Sequence, residues 1–246
     1  MTLRDFFKAH PRAALGFSGG ADSSYLLWAG RRYGAEVRPY FVDTAFQPRF
    51  EREDAERVAA LCNTALTVLQ PDILSCPEVA RNEAGRCYHC KRVIFGEIAK
   101  AAREDGFALL IDGTNASDDE TDRPGTRALR ELSVISPLRE CGLRKNEIRE
   151  LSREAGLFTW DKPAYACLAT RIPAGTPVDI ETLQRAEQAE NELFLLGFRD
   201  FRVRILNGCA RIQVKKEDWA RLCGMRDELK SRLKGFRGVL LDTETR

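Results

Sequence analysis

Short apolar runs punctuate the first two thirds of the chain. They occur at Ala13-Ala14-Leu15-Gly16-Phe17, at Val37 to Val42, at Ala65 to Leu69 and at Ala108-Leu109-Leu110-Ile111. Runs of this length, bounded by polar turns, suit strands buried on both faces. Between them lie segments with apolar positions at helical spacing. One begins at Tyr25-Leu26-Leu27-Trp28-Ala29. Phe50 to Leu61 is charged and amphipathic, and Tyr88 to Arg103 places Val93, Ile94, Phe95 and Ile98 on its apolar side. Lys145 to Ala155 follows Pro137-Leu138. Alternating strands and helices predict an α/β unit, a parallel sheet covered on both faces. Ligands of such sheets bind at the carboxyl ends of the strands, where the loops after Phe17, Val42 and Ile111 would gather.

Near residue 173 the pattern changes. Pro173-Ala174-Gly175-Thr176-Pro177 is a turn-rich break. Beyond it the periodicity predicts a helix over Ile180 to Leu196, a strand over Phe201 to Leu206 and a strand over Cys209 to Val214. A helix over Glu217 to Leu233 and a strand over Gly238 to Leu241 follow. Asn207-Gly208 between two alternating runs signals a hairpin. The expected organisation is therefore a larger domain over 1–173 and a small α+β domain over 174–246. There is no internal repeat and no low-complexity segment.

Composition narrows the class. With 43% apolar and 31% charged residues, the chain reads as a soluble globular protein. No run of about 18 apolar residues predicts a membrane span, and the N-terminus has no signal-peptide pattern. A cytoplasmic location is the expectation. A net charge of +2 argues against a broad nucleic-acid-binding face. Eight cysteines without a secretion signal imply a reducing compartment and available thiols. His10 and His89 are the two histidines, too few for a histidine-rich metal site.

Ser18-Gly19-Gly20-Ala21-Asp22-Ser23-Ser24 stands between the first strand and the first long helix. Glycines let the backbone approach a ligand closely. The N–H groups of the turn and of the first helical turn converge on an anion, aided by the helix dipole. Ser18, Ser23 and Ser24 offer hydroxyls, and Asp22 offers a carboxylate for Mg²⁺ or for capping. The loop lacks the Gly-Lys-Ser/Thr ending of a Walker A loop. It matches the SGGxDS signature of the PP-loop pyrophosphatase superfamily. That resemblance implies ATP split between its α and β phosphates, with pyrophosphate held by Ser18, Gly19, Gly20, Asp22 and Ser23, and the adenine nucleotide alpha hydrolase-like fold.

Asp112-Gly113-Thr114-Asn115 ends the fourth strand and would form a second edge of the nucleotide site, at a ribose, base or phosphate. Asp118, Asp119, Glu120 and Asp122 read as a solvated acidic loop, one of them a candidate Mg²⁺ ligand. Cys87-Tyr88-His89-Cys90 is a CxxC pair at a helix start, where thiolates form more easily. It reads as a redox pair, half a zinc site or cluster ligands. Cys167 is followed by Arg171, which can bind phosphate bidentately and stabilise a thiolate. Cys62 and Cys209 read as small buried apolar residues, and Cys223 as a third on its helix face. Cys76 and Cys141 fall in loops.

Asp122-Arg123-Pro124-Gly125, Ser136-Pro137-Leu138-Arg139, and Thr159-Trp160-Asp161-Lys162-Pro163-Ala164 leading into Cys167 and Arg171-Ile172-Pro173 resemble the LarE family of ATP-dependent sulfur transferases. The resemblance covers nearly the whole chain, including Phe201-Arg202-Val203-Arg204. It implies adenylation of a carboxylate of pyridinium-3,5-biscarboxylic acid mononucleotide and insertion of sulfur, toward the nickel-pincer cofactor of lactate racemase. Arg202 and Arg204 become candidates for the substrate phosphate, against the bland reading of a solvated edge. Glu190 resembles an acidic position linked to metal or subunit contacts. Single-cysteine members consume the cysteine at the Cys167 position. The additional Cys87 and Cys90 resemble three-cysteine members, in which three thiolates hold a 4Fe–4S cluster with one iron open. A structural zinc site competes, lacking an obvious fourth ligand.

Two other readings stand beside this one. A tRNA thiolation enzyme of the same superfamily would need a basic RNA-binding face. A non-catalytic adenine-nucleotide-binding module would bind ATP without releasing AMP. The sequence leaves the oligomeric state open, a homo-oligomer included.

Overall fold

The computed structural model describes residues 1–118 and 124–245. The chain opens with α1 (Leu3–Ala9), β1 (Arg12–Gly16), α2 (Ala21–Arg32), β2 (Glu36–Val42), α3 (Arg49–Leu61) and β3 (Thr67–Leu69). It continues with α4 (Pro77–Ala80), α5 (Arg86–Glu104), β4 (Leu110–Ile111), α6 (Pro124–Glu131), α7 (Pro137–Glu140) and α8 (Lys145–Glu154). The last part holds α9 (Ile180–Leu195), β5 (Phe201–Leu206), β6 (Cys209–Val214), α10 (Trp219–Gly224), α11 (Arg226–Arg232) and β7 (Val239–Leu241). Two compact units result. The first is Met1–Val79 with Gly85–Ala164, the second Ala80–Ala84 with Tyr165–Arg246.

In the first unit the strands pair in parallel in the order β3-β2-β1-β4. β1 is central, and Ala13, Ala14 and Leu15 have no exposed surface. Side chains alternate across a strand, so β1 feeds two layers. Ala13 and Leu15 join Phe6, Phe7, Leu26, Val58 and Ile148 from α1, α2, α3 and α8. Ala14 joins Phe95, Ile98, Ala102 and Leu129 from α5 and α6. This is the α/β architecture expected from the alternation of runs. The sequence reading passed over α1, which is short but closed by a capping box: Asp5 N–H donates to Thr2 Oγ1 at 3.2 Å and Thr2 N–H to Asp5 Oδ2 at 3.1 Å.

The second unit carries the sheet β5-β6-β7, with β5 and β6 antiparallel and β6 and β7 parallel. Asn207 and Gly208 both take positive φ, 50° and 75°, as a tight hairpin turn requires. Leu193, Phe198, Val203, Ile212 and Leu222 form its core. The helix expected over Glu217 to Leu233 is broken: α10 ends at Gly224 and α11 restarts at Arg226. Glycine is a poor helix former and permits the break. The second unit is discontinuous, because Ala80–Ala84 is tied to the later chain. Asn82 Nδ2 donates to the carbonyls of Pro173 and Thr176 at 2.9 Å each, and Val178 N–H donates to Ala80 O at 2.8 Å. Pairings across about ninety positions leave no trace in local periodicity.

Asp242 closes this sheet. It is 4% exposed, and Arg211 Nη2 lies 2.8 Å from its Oδ2. The Arg211 guanidinium holds the Asp242 carboxyl below the usual range. A depressed carboxyl contributes stability above its unfolded pKa of about 3.9 and loses it as pH falls through the folded value. Asp242→Asn should therefore destabilise the protein at pH 7, on the order of 1 kcal/mol for a partly screened pair. The gap from wild type should close below about pH 3.9. Urea unfolding at both pH values checks this; a pH-independent gap would remove the charge from the account.

Candidate functional site

The loop after β1 turns at Gly19, whose φ is +67°. A side chain there would meet the backbone of α3, with Ala55 N at 2.9 Å, so both conformation and space call for glycine. Gly20 then caps α2 without a side-chain bond. Ser18 Oγ and Ser23 Oγ lie 3.1 Å apart, and Gly20 N–H donates to Ser18 Oγ at 3.3 Å. The first N–H groups of α2 have no partner within the helix and face this turn with the positive end of its dipole. The loop is thus preorganised for an anion.

Gly113 brings the second strand-end loop against the first. A Cβ there would stand 2.9 Å from Ser23 N. Asp112, only 6% exposed, is committed within its own loop. It accepts from Thr114 Oγ1 at 2.5 Å, from Thr114 N–H at 3.2 Å and from Ser136 Oγ at 2.7 Å. It thereby organises Thr114 and Ser136 at the strand end. Asn115 is buried and accepts from Ser117 N–H at 2.8 Å. Asp118 borders the loop cavity. Asp119, Glu120, Asp122 and Arg123 lie outside the described residues.

A cavity of about 340 Å³ opens over these loops. Its polar end has Ser18, Gly20, Asp22, Ser23, Gly113 and Thr114; its apolar end has Tyr40, Phe41, Val42, Ile94, Phe95 and Ile98. Three lysines attend it that sequence reasoning missed. Lys91 lines it directly. Lys145 Nζ stands 2.6 Å from Asp22 Oδ2, while Asp22 Oδ1 is buried without a hydrogen bond. Lys162 Nζ stands 2.7 Å from Asp54 Oδ2 and donates to Gly19 O at 3.4 Å. Lys162 lies inside a run quoted for the family resemblance, whereas no local pattern marks Lys145. Asp22 and Lys145 are 123 positions apart.

Cys87 and Cys90 occupy the start of α5, and neither forms a disulfide. Residues three and four apart share a helix face. Cys87 therefore continues the row Lys91, Phe95, Ile98, and Cys90 the row Ile94, Ile98, which line the cavity. Cys62 is buried and its thiol is pushed up to about 11 by desolvation, as suits an inert core position. Burial also raises the Cys141 thiol. Cys209 is half-buried and Cys223 exposed, so neither is the core cysteine expected; an edge position on β6 and the outer face of α10 explain it.

In the second unit Cys167 opens a 3₁₀ turn, Leu168–Arg171. Its carbonyl accepts from Thr170 N–H at 2.9 Å and Thr170 Oγ1 at 2.8 Å. Arg171 is 1% exposed. Its Nε and Nη2 donate to Glu190 at 2.5 and 3.2 Å, and its Nη1 to Thr170 Oγ1 at 2.7 Å. Glu190 also accepts from Tyr165 Oη, and from Val203 N–H at 2.9 Å. Arg171 and Glu190 thus form a buried ion pair beside the Cys167 turn. Arg202 and Arg204 share the outer face of β5, as the alternation predicts. Arg204 Nη1 donates to Gln213 Oε1 at 2.8 Å. Among the described residues no group of three or more His, Cys, Asp or Glu side chains is gathered for a metal. Nor is any helix among them long and apolar enough to cross a membrane.

These features define an α/β protein with a glycine-turned strand–loop–helix connection at the edge of a parallel sheet. No protein-family model matches the chain. Its relatives include the uncharacterized protein slr1717 of Synechocystis, 36% identical over 218 residues, covering 87% of this chain and 81% of that one. It is 31% identical over 251 residues to the pyridinium-3,5-bisthiocarboxylic acid mononucleotide synthase of Lactiplantibacillus plantarum, covering 98% of this chain and 89% of the synthase. The uncharacterized protein MJ0830 of Methanocaldococcus jannaschii is 28% identical, with 98% and 93% covered. The chain belongs to the family of that synthase, the LarE family.

Two of the lysines are held by carboxylates beside an anion loop, so an incoming anion competes with Asp54 for Lys162. Lys162→Ala should weaken pyrophosphate binding about tenfold, the worth of one charge-assisted bond. Asp54→Asn should strengthen it by freeing the ammonium. Calorimetric titration with pyrophosphate reads both, and unchanged affinity in both variants would show that Lys162 serves the fold alone.

Proposed function

We propose that the chain is an ATP-dependent, AMP-forming sulfur transferase acting on a carboxylate of a pyridinium mononucleotide, pyridinium-3,5-biscarboxylic acid mononucleotide by analogy with its relative. The observation that carries this reading is the helix α5. One of its faces lines a cavity bordered both by the Ser18–Ser23 loop and by apolar side chains, and the same helix begins with two cysteines that form no disulfide.

The chemistry follows from those parts. A carboxylate oxygen of the acceptor attacks the α-phosphorus of ATP, the bond to the bridging oxygen breaks, and pyrophosphate leaves. Ser18, Gly19, Gly20 and Ser23, with Lys162 nearby, receive that charge, as developing anions are best met by preorganised donors. A sulfur nucleophile then attacks the acyl carbon of the adenylate. The carbon–oxygen bond to AMP breaks, leaving a thiocarboxylate and AMP. Arg202 and Arg204 are the proposed ligands of the acceptor's phosphate.

Mg²⁺ fits this site through Asp22, whose buried Oδ1 has no hydrogen bond. The ion would neutralise phosphate charge. A 4Fe–4S cluster would draw on Cys87, Cys90 and Cys167, three cysteines outside any disulfide. Such a cluster, held by three thiolates with one iron open, supplies a place for an additional sulfide. The protein's own part is to present the thiolates: Cys87 and Cys90 from one helix turn, Cys167 from the turn braced by Arg171 and Glu190.

Asp22→Ala should abolish AMP and pyrophosphate release while leaving the fold intact, because it removes a loop charge and no core volume. Release of ADP and phosphate by the wild type would sink the reading.

The source of sulfur is separable. With a cluster, anaerobically reconstituted protein contains iron, turns over repeatedly with sulfide, and loses both properties in Cys87→Ala, while Cys167 keeps its mass. If Cys167 is instead consumed, the chain loses the mass of H₂S, about 34 Da, as elimination of a thiol requires. Intact-mass measurement after reaction decides between them, and dehydroalanine at position 167 would defeat the cluster.

A further inference from the structure

A second cavity, of about 230 Å³, lies in the first unit beside the loop cavity and shares Thr114 with it. Two arginines, Arg130 and Arg139, and three hydroxyl residues, Thr114, Thr126 and Ser136, line it together with the apolar Leu129 and Val134, and no carboxylate among the described residues does. Two of the hydroxyls are already committed, for Thr114 Oγ1 and Ser136 Oγ donate their protons to Asp112. A donor left to meet a ligand is the guanidinium of Arg139. Arg139 is held in place by its Nη2, which donates to Asp118 O at 3.2 Å, and by its buried neighbours Pro137 and Leu138. Its Nε is buried and has no hydrogen-bond acceptor. A desolvated guanidinium N–H without an acceptor is costly and rare in folded proteins unless a ligand supplies one.

We propose that this cavity binds a carboxylate of the sulfur acceptor, the one that is not being adenylated. The inference rests on the function proposed above and deepens it. A dicarboxylate mononucleotide brings two acidic groups besides the reacting one: its phosphate and its second carboxylate. A planar guanidinium fork matches a planar carboxylate in two parallel bonds. Leu129 and Val134 give the cavity an apolar lining suited to the edge of a ring rather than to a free hydrated ion. Because Thr114 borders both cavities, a carboxylate held here places the ring next to the nucleotide, with Asp112 fixing the wall between them. Arg139 then acts as a specificity residue, selecting an acceptor by an acidic group that does not react.

Three probes test this: nicotinate mononucleotide, nicotinamide mononucleotide, which replaces the carboxylate by a neutral amide, and ribose 5-phosphate, which keeps the phosphate alone. Wild-type protein should bind the nicotinate form about tenfold more tightly than the amide, the scale of one charge-assisted contact. Arg139→Ala should abolish that preference by weakening the nicotinate form alone, with ATP affinity unchanged, and Arg139→Lys should restore part of it. Arg130→Ala, at an exposed position, repeats the test should Arg139→Ala fail to fold. Equal loss for the nicotinate form, the amide and ribose 5-phosphate would assign the cavity to the phosphate and overturn the proposal. Equal loss for ATP would assign it to the nucleotide, and an undiminished preference would leave the cavity without a role; either result also overturns it. Wild-type protein that shows the preference yet forms no AMP from ATP would instead fail the proposed reaction and leave this binding site standing.

Discussion

The site depends on one close approach, that of the loop after β4 to the first turn of α2. Gly113 sits where a side chain would run into Ser23 N at 2.9 Å. The approach is held from behind by Asp112, which gathers Thr114 and Ser136 onto a single carboxylate. Two loops far apart in sequence are thereby fixed against each other at the carboxyl edge of a parallel sheet. That edge is where strand ends and helix N-termini concentrate unpaired N–H groups. Both cavities exist because of this approach: Thr114 is a wall of each. A longer residue at position 113 would separate the loops and merge or empty the two volumes together.

Electrostatics then set the resting state. An anion loop with no anion concentrates positive potential, from the dipole of α2 and from Lys145 and Lys162. The protein balances this internally, with Asp22 against Lys145 and Asp54 against Lys162. These pairs are half-buried to nearly buried, so they are screened less than surface pairs. Under the proposed function each is also replaceable: a cation would take Asp22 and a phosphate would take Lys162, so that filling the site would exchange partners rather than create charge. Buried pairs with no such substitute behave differently. Arg171 and Glu190 are each 1% exposed and satisfied from several sides, and they brace the turn that Cys167 begins.

What the sequence disclosed follows the range of each interaction. The anion loop was legible because its parts are contiguous, Ser18 to Ser24, behind a run that can only be a buried strand. The hairpin at Asn207-Gly208 was legible for the same reason, since two positive-φ residues in a row announce a tight turn. The lysines were not. Lys145 meets Asp22, and Lys162 meets Gly19, across 123 and 143 positions, and a lysine in an amphipathic helix or a loop looks like any solvated charge. The partner of Arg171 was hidden as well. An arginine after a cysteine in a motif invites a phosphate, and only three-dimensional packing reveals Glu190 nineteen positions on as its partner. The discontinuous second unit was hidden likewise, because Asn82 speaks through carbonyls of residues 173 and 176 rather than through any pattern around it.

The helix α5 joins these strands of argument. Its burial against β1 is obligatory: Phe95 stands so near Gly16 that a Cβ there would lie 2.7 Å from the ring. That contact fixes the rotation of the helix about its axis, because Ile98 and Ala102 follow Phe95 into the same layer. Once the rotation is fixed, the 3.6-residue period carries the orientation back to the first turn. Lys91 must face the cavity, and Cys87 and Cys90 must flank that same edge. The placement of these two cysteines is thus set by hydrophobic packing two and three turns away. A helix is stiff over this length, so a core contact can aim a thiol more reliably than the polar loop in which such groups often sit.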